Sequence, residues 1–534
     1  MTLYESGPSM EILKLDINKT EPDSPGETEV RFQMALLAAI AATGSSLILR
    51  FAFDAPLLPE LMAHMLFALS PIWVVEIAVG MLGPFAKHLG FLGCVLAYTL
   101  ALAGAAVLLL KYHKKPAMIR AAPFTIPVLA LVMWAVTVFI VFPLLGAGVS
   151  GEYLRQGAVY TSLSQLLVYG IFGAVLATVS RLYVDRPDLA REHNHWLSRR
   201  KLMSGVFYSV IAVGLYDMGK SLIVPWLRSG TGRVKGGDGL FPRIDGLALE
   251  VTPVSDFYEV SKNPFDPQVD AVRWRLEVGG LVENPLSLSY DEIRSLPAVE
   301  QYATLECIDN KVGGDLIGNA LWRGVRLREI IEMAGLKQGV IDIVFRASDD
   351  YSDSIPLDRA MADGTVLVYE MNGEPLTPSH GFPLRLIVPG IYGMKNVKWI
   401  KRIEARDYDF KGYWQARGWD DRAEYKTMSR IDLPDTDITG TATVAGIAFA
   451  GDRGVVRVEV STNGGKTWED ARIKPALSPY SWVLWHKEWA PAGKGKHTLI
   501  VRATDGQGIT QTSEYSPAAP SGTSGHHRRT IEVG

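Results

Sequence analysis

The hydrophobic pattern divides the chain into a long apolar part and a later part of short alternating segments. Four runs lack Asp, Glu, Lys and Arg altogether, and they cover residues 32–49, 89–110, 121–151 and 156–180. As a helix, each run is long enough to cross a hydrocarbon core of about 30 Å. Residues 61–85 and 202–227 are also apolar but contain charged side chains. We predict an all-α transmembrane bundle of about six helices over residues 30–228, or five if the first lies on the membrane surface.

Polar segments flank this predicted bundle on both sides. Residues 1–29 are acidic and contain Pro22 and Pro25, which predicts a polar N-terminal tail and not a cleavable signal peptide. Residues 229–250 begin with a Gly-rich polar stretch, which is typical of a linker.

Basic residues cluster in two connections between the predicted spans, residues 111–120 and 186–201. The positive-inside rule places such connections in the cytoplasm, so the chain after residue 228 is expected outside it. Arg199 and Arg200 stand directly before an apolar segment and are similar to a twin-arginine export signal. The sequence therefore predicts a multi-pass protein of the cell membrane whose C-terminal domains lie on the extracytoplasmic side.

Beyond residue 250 the periodicity becomes that of short strands and short helices. Residues 272–278 alternate as a half-buried strand does, and residues 366–369 and 384–388 are short apolar strands. Residues 291–295 are predicted to be a short helix, and Leu327–Ala334 a longer one that Gly335 stops. We predict an α+β domain over residues 251–431.

The last part, residues 432–534, has strand patterns separated by turns. Val456, Val458 and Val460 are predicted to face the same side of one strand, and Asn463–Gly464 is a hairpin turn signal. This pattern predicts an immunoglobulin-like β-sandwich. Residues 526–529, of sequence HHRR, are predicted to be a solvated tail, with a return to the preceding domain as the alternative.

Composition excludes several classes of protein. The net charge is −3, so no nucleic-acid partner is expected. A total of two cysteines excludes a disulfide scaffold and a cysteine-rich zinc site. Cys94 lies inside an apolar run, so Cys307 has no expected disulfide partner and becomes the candidate for metal ligation or reactivity.

Cys307 stands in residues 304–314 together with hydrogen-bond acceptors, a lysine and a Gly-Gly pair that lets the backbone approach a bulky ligand. Further distinctive segments follow at residues 368–376, 380–385, 388–390 and 396–399. In this order and spacing, the segments resemble the sulfite oxidase family of molybdopterin enzymes. The resemblance covers the C-terminal part of the chain and does not extend to the apolar part.

The resemblance implies that Cys307 supplies a thiolate to molybdenum and that Tyr351 is the active-site tyrosine, which donates a hydrogen bond and relays a proton. It implies a molybdenum–molybdopterin cofactor held by Arg385 as a fork and Lys398 as a point charge. Further cofactor-binding positions that it implies are Ser255, Tyr258, Glu259, His380, Asn396 and Val397. The C-terminal sandwich resembles the family's dimerisation domain, which implies a homodimer.

Two departures from the family pattern concern the substrate. Sulfite oxidases carry an arginine pair after the cysteine segment and an Arg-Asn-His segment upstream, where this chain has 308–312 and 257–261. Asp309 instead matches an acidic residue of the family's sulfoxide-reducing branch. Asp309 and Lys311 are therefore candidate catalytic residues. We expect a neutral S-oxide to be a better substrate than the sulfite dianion, because a buried dianion needs several cations.

Histidines of the apolar part suggest haem b as an additional cofactor of the membrane domain. His64, His88 and His113 are scattered near the ends of the predicted spans, however, so an interfacial role is the favoured interpretation. Glu76 is a functional candidate because a carboxylate inside a membrane is costly.

The leading hypothesis is a membrane-anchored molybdenum–pterin oxidoreductase that transfers an oxygen atom on a small sulfur oxo-compound. Its electron-transfer partner, a cytochrome or the quinone pool, is left open by the sequence. One alternative is a quinol-linked sulfoxide reductase of the methionine-sulfoxide type. A second alternative is a non-catalytic membrane-anchored binding protein.

Overall fold

The computed structural model describes residues 25–53, 55–71, 74, 85–112, 122–152, 154, 156–185, 244–263 and 266–534. The chain divides into two units, Met1–Leu57 with Val95–Val210, and Leu58–Cys94 with Ile211–Gly534. Several predictions fall outside the described residues, namely the span at 202–227, the Arg199–Arg200 pair, the Gly-rich stretch after residue 228, Glu76 and His113.

The long helices of the described apolar part are α1 (Pro25–Phe53), α2 (Leu58–Leu69), α3 (Phe85–Tyr112), α4 (Ala122–Val136) and α5 (Gly157–Asp185). Four segments are long and apolar enough to cross a membrane: Arg31–Arg50, His88–Lys111, Ile126–Leu144 and Gly157–Arg181. Four of the six predicted spans therefore coincide with helices of spanning length and composition.

Two of the predicted spans differ in detail. α4 continues through a π-helical turn, Thr137–Val141, and a last α-turn, Phe142–Leu144, so it ends before the predicted residue 151. α2 has 12 residues, and Ser70 and Pro71 after it are not helical. Proline lacks the amide donor that a further helical turn needs. The prediction of one continuous helix over residues 61–85 is therefore wrong in its described part.

Small and hydroxyl-bearing side chains lie at the helix contacts of the first unit. Ala35, Ala38, Ala39 and Ala42 of α1 are fully buried, and small residues let helix backbones approach closely. Thr43 Oγ1 lies 3.0 Å from Thr99 Oγ1, and Thr137 Oγ1 lies 2.7 Å from the Tyr169 hydroxyl. Such pairs satisfy hydroxyl groups where apolar neighbours offer no partner.

The second unit carries the strands β1 (Arg275–Gly280), β2 (Leu286–Ser289), β3 (Val299–Glu306), β4 (Ile317–Arg326), β5 (Asp342–Ala347), β6 (Ser352–Pro356), β7 (Val366–Met371), β8 (Glu374–Pro375), β9 (Arg385–Ile387) and β10 (Ile400–Arg406). One sheet has the order β2-β1-β10-β5-β6, with β1 and β10 parallel. The other has the order β3-β4-β7-β8, and β9 pairs with β7. The predicted α+β class is confirmed.

Local sequence explains the helices of this region, α6 (Tyr290–Ser295), α7 (Leu327–Ala334) and α8 (Leu357–Ala360). α6 begins with a capping box, in which Ser289 Oγ accepts from the Glu292 amide at 3.2 Å and Glu292 accepts from the Ser289 amide at 2.7 Å. α7 ends at Gly335, whose φ of 66° favours glycine. Both helices were predicted.

The main core of this region lies between the first sheet and α7, with β7 and β9 on its border. Fully buried members are Leu276, Phe345 and Ile403 from the sheet, Ile330 from α7, and Leu367 and Leu386 from β7 and β9. β5 and β9 contribute to this core, whereas Ala303 and Leu305 of β3 pack in a second cluster around Trp322. The chain segments at the ends of these three strands carry the residues that the sequence singled out.

The last strands are β11 (Met428–Leu433), β12 (Ala442–Phe449), β13 (Val455–Ser461), β14 (Glu469–Asp470), β15 (Arg472–Ile473), β16 (Val483–Trp489), β17 (Gly495–Asp505) and β18 (Arg528–Val533). Two sheets, β11-β12-β16-β15 and β14-β13-β17-β18, share one core around Trp485. The domain is a β-sandwich, and its immunoglobulin-like type stays a prediction. Val456 is 62% exposed, whereas Val458 and Val460 are buried, and the strand has a register shift between Val455 and Arg457. The prediction that Val456 faces the same side as the other two valines is therefore wrong.

The C-terminal stretch returns to the α+β domain. Thr523 Oγ1 donates to the Asn310 carbonyl at 2.7 Å, and the Ile431 amide donates to His527 Nδ1 at 2.9 Å. β18 pairs with β17 along its whole length. The prediction of a solvated tail is therefore wrong, and the alternative of a return to the preceding domain is what the structure shows.

Candidate active site

Loops beside β3, β5 and β9 converge on one cleft of about 580 Å³. Predicted site residues that line it are Tyr258, Glu259, Cys307, Asp309, Lys311, Tyr351, His380, Arg385, Asn396, Val397 and Lys398. Ser255 is the exception, since it is exposed and its hydroxyl donates to Asp256 at 2.8 Å. Tertiary packing thus brings together residues that are widely separated along the chain.

Cys307 directly follows β3 and opens a tight turn. Its amide donates to the Leu316 carbonyl at 2.9 Å, and its carbonyl accepts from the Asn310 amide at 3.0 Å. These two bonds fix the backbone from which the thiol enters the cleft. Burial raises the pKa of the Cys307 thiol to about 12, and the nearby carboxylates of Asp309 and Glu306 add to the rise.

Hydrogen bonds of the Glu306 and Asn310 side chains stabilise this turn. Asn310 Nδ2 donates to Glu306 Oε1 at 2.8 Å, while Asn310 Oδ1 accepts from the Leu316 amide at 3.0 Å. Burial raises the pKa of Glu306 to about 7, against the opposing effects of Asn310 and Arg430. Sequence reasoning did not single out this pair, although both residues lie within three positions of Cys307.

Tyr351 precedes β6 and faces the same cleft. Its hydroxyl donates to Asp353 Oδ2 at 2.9 Å and also lies 2.9 Å from the Met394 carbonyl oxygen. Burial raises the pKa of Tyr351 well above its ordinary value, and the charge of Asp353 raises it further. The phenol therefore keeps its proton at neutral pH and can donate or relay it.

Arg385 begins β9 and is 6% exposed. Its Nη1 donates to the His380 carbonyl at 3.3 Å, and its guanidinium lies 5.4 Å from the centre of the Trp322 ring. Its Nε has no hydrogen-bond partner among the described residues. Burial lowers the pKa of Arg385 to about 10, so it stays charged at neutral pH. A buried cation with a spare donor fits an anionic or acceptor-rich ligand.

Lys398 lies next to Arg385 in the cleft lining. Its ammonium donates to Ser261 Oγ and to the Ser379 carbonyl, both at 2.9 Å, and lies over the Trp399 ring at 4.2 Å. Burial lowers the pKa of Lys398 to about 8, and the charge of Arg385 contributes to the shift. An anionic ligand would reverse this shift, because it favours the charged ammonium.

His380 is neutral at physiological pH, since burial and the charge of Arg385 lower its pKa to about 4. Its Nε2 donates to the Val254 carbonyl at 3.1 Å, and its ring packs edge-on against Phe257. This contact ties the loop before β9 to the segment around residue 257.

The same upstream segment places Tyr258 and Glu259 at the cleft. The Tyr258 hydroxyl occupies the space that a side chain on Gly393 would need, so glycine is required there for a close approach. Glu259 Oε1 accepts from Ser379 Oγ at 2.6 Å. Both residues therefore line the cleft, and side-chain contacts hold the loop that carries them.

Asn396 and Val397 also line the cleft, but their polar groups hold the backbone. Asn396 Oδ1 accepts from the Val388 amide at 2.6 Å, and its Nδ2 donates to the Tyr392 carbonyl at 3.2 Å. The Val397 carbonyl accepts from the Leu386 amide at 2.8 Å. The Asn396 side chain therefore shapes the loop at 388–396.

Lys262 is a cleft cation that sequence reasoning missed. Its ammonium donates to the Asp349 carbonyl at 2.7 Å and to Asn263 Oδ1 at 2.8 Å, and it lies 3.9 Å from Asp349 Oδ2. The side chains of Lys262 and Asp349 are 8% and 3% exposed. Lys262 follows the predicted segment at 257–261 directly, and that adjacency was the one available signal.

The donor set fits a cofactor that brings most of the metal ligands itself. In the described ranges no three His, Cys, Asp or Glu side chains cluster as metal ligands, and Cys307 brings a single thiol to the cleft lining. The buried guanidinium of Arg385, with its spare Nε, suits a phosphate or a pterin edge.

Comparisons with known proteins agree with this chemistry. A family model described as “Oxidoreductase molybdopterin binding domain” matches residues 263–414. A second model, described as “Mo-co oxidoreductase dimerisation domain”, matches residues 425–519.

The chain is similar to the mitochondrial sulfite oxidase of Macaca fascicularis, with 32% identity over 318 residues that cover 50% of this chain and 58% of that protein. It therefore spans little more than half the length of that relative. It is 32% identical to the sulfite oxidase of Arabidopsis thaliana over 284 residues, 43% of this chain and 72% of that protein. Among solved structures, the sulfane dehydrogenase SoxCD of Paracoccus pantotrophus matches with a TM-score of 0.48 and 22% identity, over 56% of this chain and 87% of that chain.

Proposed function

Because the chain belongs to the sulfite oxidase family of molybdopterin oxidoreductases, we propose that it transfers an oxygen atom to or from a small sulfur compound, with Cys307 as the molybdenum ligand. The observation that carries this proposal is the meeting of Cys307, Tyr351 and the buried cations Arg385 and Lys398 in one cleft. A non-catalytic binding protein would have no need to retain this set.

The cofactor, when bound, supplies molybdenum with dithiolene and oxo ligands that exchange one oxygen atom and two electrons with the substrate. Cys307 offers a soft thiolate, and coordination removes the proton that burial would otherwise retain. Arg385 and Lys398 would hold the cofactor, whose phosphate and acceptor-rich pterin edges suit their buried positive charges. Tyr351 holds a proton at its hydroxyl oxygen in the same cleft as Cys307.

Charge in the cleft favours a neutral substrate. The Lys and Arg residues of the lining equal its Asp and Glu residues in number: Lys262, Lys311, Arg385 and Lys398 against Glu259, Asp309, Asp315 and Asp349. If Arg385 and Lys398 serve the cofactor, little positive charge remains for a dianion, because Lys262 is already paired with Asp349. We therefore propose an S-oxide as the substrate class.

The second candidate function is the reductive direction of this reaction, in which the protein is a quinol-linked sulfoxide reductase. Asp309 lies in the cleft two positions after Cys307, where an acid can deliver protons to an S-oxide oxygen as it leaves. Reduction needs electrons from outside the domain, and a cytochrome or the quinone pool is the proposed source.

Membrane anchoring is part of the proposal and is supported by the four helices of spanning length and composition. The catalytic domain is proposed to lie outside the cytoplasm. A homodimer through the C-terminal sandwich is proposed from the dimerisation-domain match at residues 425–519. We also propose the domain division predicted from the sequence: a tail, a membrane bundle, a linker and two further domains.

The test is metal and pterin analysis of the purified full chain, followed by assays in both directions. We expect molybdenum with pterin, and a higher kcat/KM for methionine sulfoxide with a reduced viologen than for sulfite with ferricyanide. Turnover by protein that contains no molybdenum would refute the proposed function. Fast sulfite oxidation at low KM would refute the proposed substrate class and leave the enzyme class intact.

A further inference from the structure

A buried ion pair lies directly behind the active-site phenol. The Tyr351 hydroxyl donates to Asp353 Oδ2 at 2.9 Å, and Asp353 Oδ1 accepts from Lys395 Nζ at 3.0 Å. The side chains of Lys395 and Asp353 are 3% and 1% exposed. Gln415 Nε2 also donates to Asp353 Oδ2, at 3.3 Å. Both carboxylate oxygens are thus held by donors, one of which faces the cleft.

The ion pair continues to the protein surface. Lys395 Nζ donates to the Ser354 carbonyl at 2.9 Å and to Asp421 Oδ1 at 3.3 Å. Asp421 Oδ2 in turn accepts from Lys411 Nζ at 2.7 Å, and the side chains of Lys411 and Asp421 are 47% and 40% exposed. A continuous row of hydrogen bonds therefore joins the cleft to solvent.

Stability alone does not account for this arrangement. Removing two charges from water is costly, and apolar side chains of similar volume often stabilise a fold as well or better. The pair sits between the phenol and a half-exposed carboxylate, which is where charge movement from the cleft would pass. Buried polar groups in such positions are candidates for function.

We propose that Asp353, kept ionised by Lys395, accepts the proton of Tyr351 and carries protons between the cleft and solvent. This inference rests on the proposed oxygen-atom transfer and adds a proton path to it. Oxidation of a sulfur compound with water as the oxygen source releases two protons and two electrons. Reduction of an S-oxide takes up the same protons and electrons and releases water, so either direction needs the path. The electrons go to or come from a cytochrome or quinone.

Each proton moves by exchange along the row. In the oxidative direction, Tyr351 accepts a proton from the cleft while its own O–H bond breaks toward Asp353 Oδ2, so the phenol is regenerated. Lys395 then takes the proton from Asp353 as it gives one of its own to Asp421, which releases it to water. In the reductive direction the same steps run in reverse.

The charged neighbours are consistent with these roles. Asp342 of β5 acts on Lys395 from the adjacent strand, and Asp349 and Tyr413 lie beside Tyr351. Burial raises the pKa of Asp353, whereas Lys395 and Tyr351 lower it. Lys395 Nζ thus donates to one carboxylate on the cleft side, Asp353 at 3.0 Å, and to one on the solvent side, Asp421 at 3.3 Å.

The first test combines Asp353→Asn, Tyr351→Phe and the double variant. Each single variant is expected to lower kcat about a hundredfold with KM little changed, as for loss of a general acid–base group. The double variant is expected to be no slower than Tyr351→Phe, because Asp353 acts through the phenol. Multiplied effects in the double variant would show a separate structural role and overturn the proposal. So would an unchanged kcat in Asp353→Asn.

A second readout needs no bound cofactor. Ultraviolet difference titration of the purified chain measures the ionisation of Tyr351. In Asp353→Asn, Tyr351 is expected to ionise at a lower pH than in the wild type, because the adjacent negative charge is gone. The signal is assigned to Tyr351 by its absence in Tyr351→Phe. An unshifted titration would show that Asp353 does not act on the phenol.

Two matched surface variants, Asp421→Asn and Asp409→Asn, test the proton path even if Asp353→Asn does not fold. Asp421 and Asp409 both accept from Lys411, at 2.7 and 2.5 Å, and Asp421 also accepts from Lys395. Asp421→Asn is expected to lower kcat severalfold and to raise the solvent deuterium isotope effect, while Asp409→Asn matches the wild type. Equal behaviour of the two variants would overturn the proton path. Absence of any oxygen transfer by the wild type would instead refute the proposed function.

Discussion

The imidazole of His527 packs directly against Gly313 in the loop that follows Cys307. Three ring atoms of His527 occupy the space that a side chain on Gly313 would need, and the φ of Gly313 is +77°. The ring is held in place by the Ile431 amide, which donates to its Nδ1 at 2.9 Å. Arg430 in the same strand donates to the Gly314 carbonyl at 2.8 Å. The β-sandwich therefore shapes the loop that carries the proposed metal ligand.

Gly313→Ala is expected to destabilise the protein and to lower its molybdenum content. A residue with a side chain is strained at positive φ by about 1–3 kcal/mol, and here it would also displace His527. Thermal unfolding and metal analysis of the purified chain measure the two effects.

Gly464→Ala is the matched control for this variant. Gly464 has a similar φ of +74°, but nothing lies within 4 Å of an added side-chain carbon. It is expected to show the backbone strain alone, with normal molybdenum content. Equal loss of molybdenum in both variants would contradict the role of the His527 contact.

Cys307→Ser is expected to abolish turnover and to remove most of the molybdenum. A serine oxygen is a harder ligand than a thiolate and cannot match its covalency to the metal. Cys94→Ser in α3 is the control, because it changes the other cysteine of the chain, and it is expected to retain activity. Full activity of Cys307→Ser would remove the central assignment.

Arg385→Met is expected to lower the pterin content without destabilising the cofactor-free chain. Methionine fills a similar volume and removes a buried cation that has a spare donor, so the unfolding temperature of the cofactor-free form is expected to stay constant or rise. Arg323→Met is the control, since Arg323 is 46% exposed and pairs with Glu370 at 3.5 Å. Unchanged pterin content in Arg385→Met would refute its proposed role.

His527 is expected to make stability depend on pH. Burial lowers its pKa from 6.5 to about 4, with Arg529 and Arg430 contributing. Above pH 6.5 the ring is neutral in both the folded and unfolded chain; between 6.5 and 4 mainly the unfolded chain binds the proton, so stability falls as pH falls through this window.

His527→Asn is therefore expected to flatten the fall in unfolding temperature between pH 6.5 and 4. Asparagine can still accept from the Ile431 amide through its side-chain oxygen. The control is His497→Asn, at a half-buried histidine whose Nε2 lies 2.8 Å from the Gly493 carbonyl oxygen. Identical pH profiles for wild type and His527→Asn would show that His527 does not titrate in this way.

Much of the fold was predictable because its signals are local. Long runs without charged residues predict helices of spanning length, and the Ser289–Glu292 capping box and Gly335 mark helix ends within a few residues. Most of the predicted site residues line one cleft. They could be predicted because their types and their order along the chain resemble those of one enzyme family. The cleft cation Lys262 was missed, since it looks like an ordinary surface lysine until its burial against Asp349 is known.

The sequence by itself determined which chemical groups are available: one thiol outside the apolar part, a phenol in a distinctive segment, and cations in a family-like order. Only the tertiary structure decided how they are held. The Asp353–Lys395 pair joins β6 to the loop before β10, and His527 reaches Gly313 from the far end of the chain. The register shift that turns Val456 outward depends on pairing with β17. Each of these contacts is set by packing and desolvation between segments distant in sequence, and periodicity and residue type within a single segment do not specify such contacts.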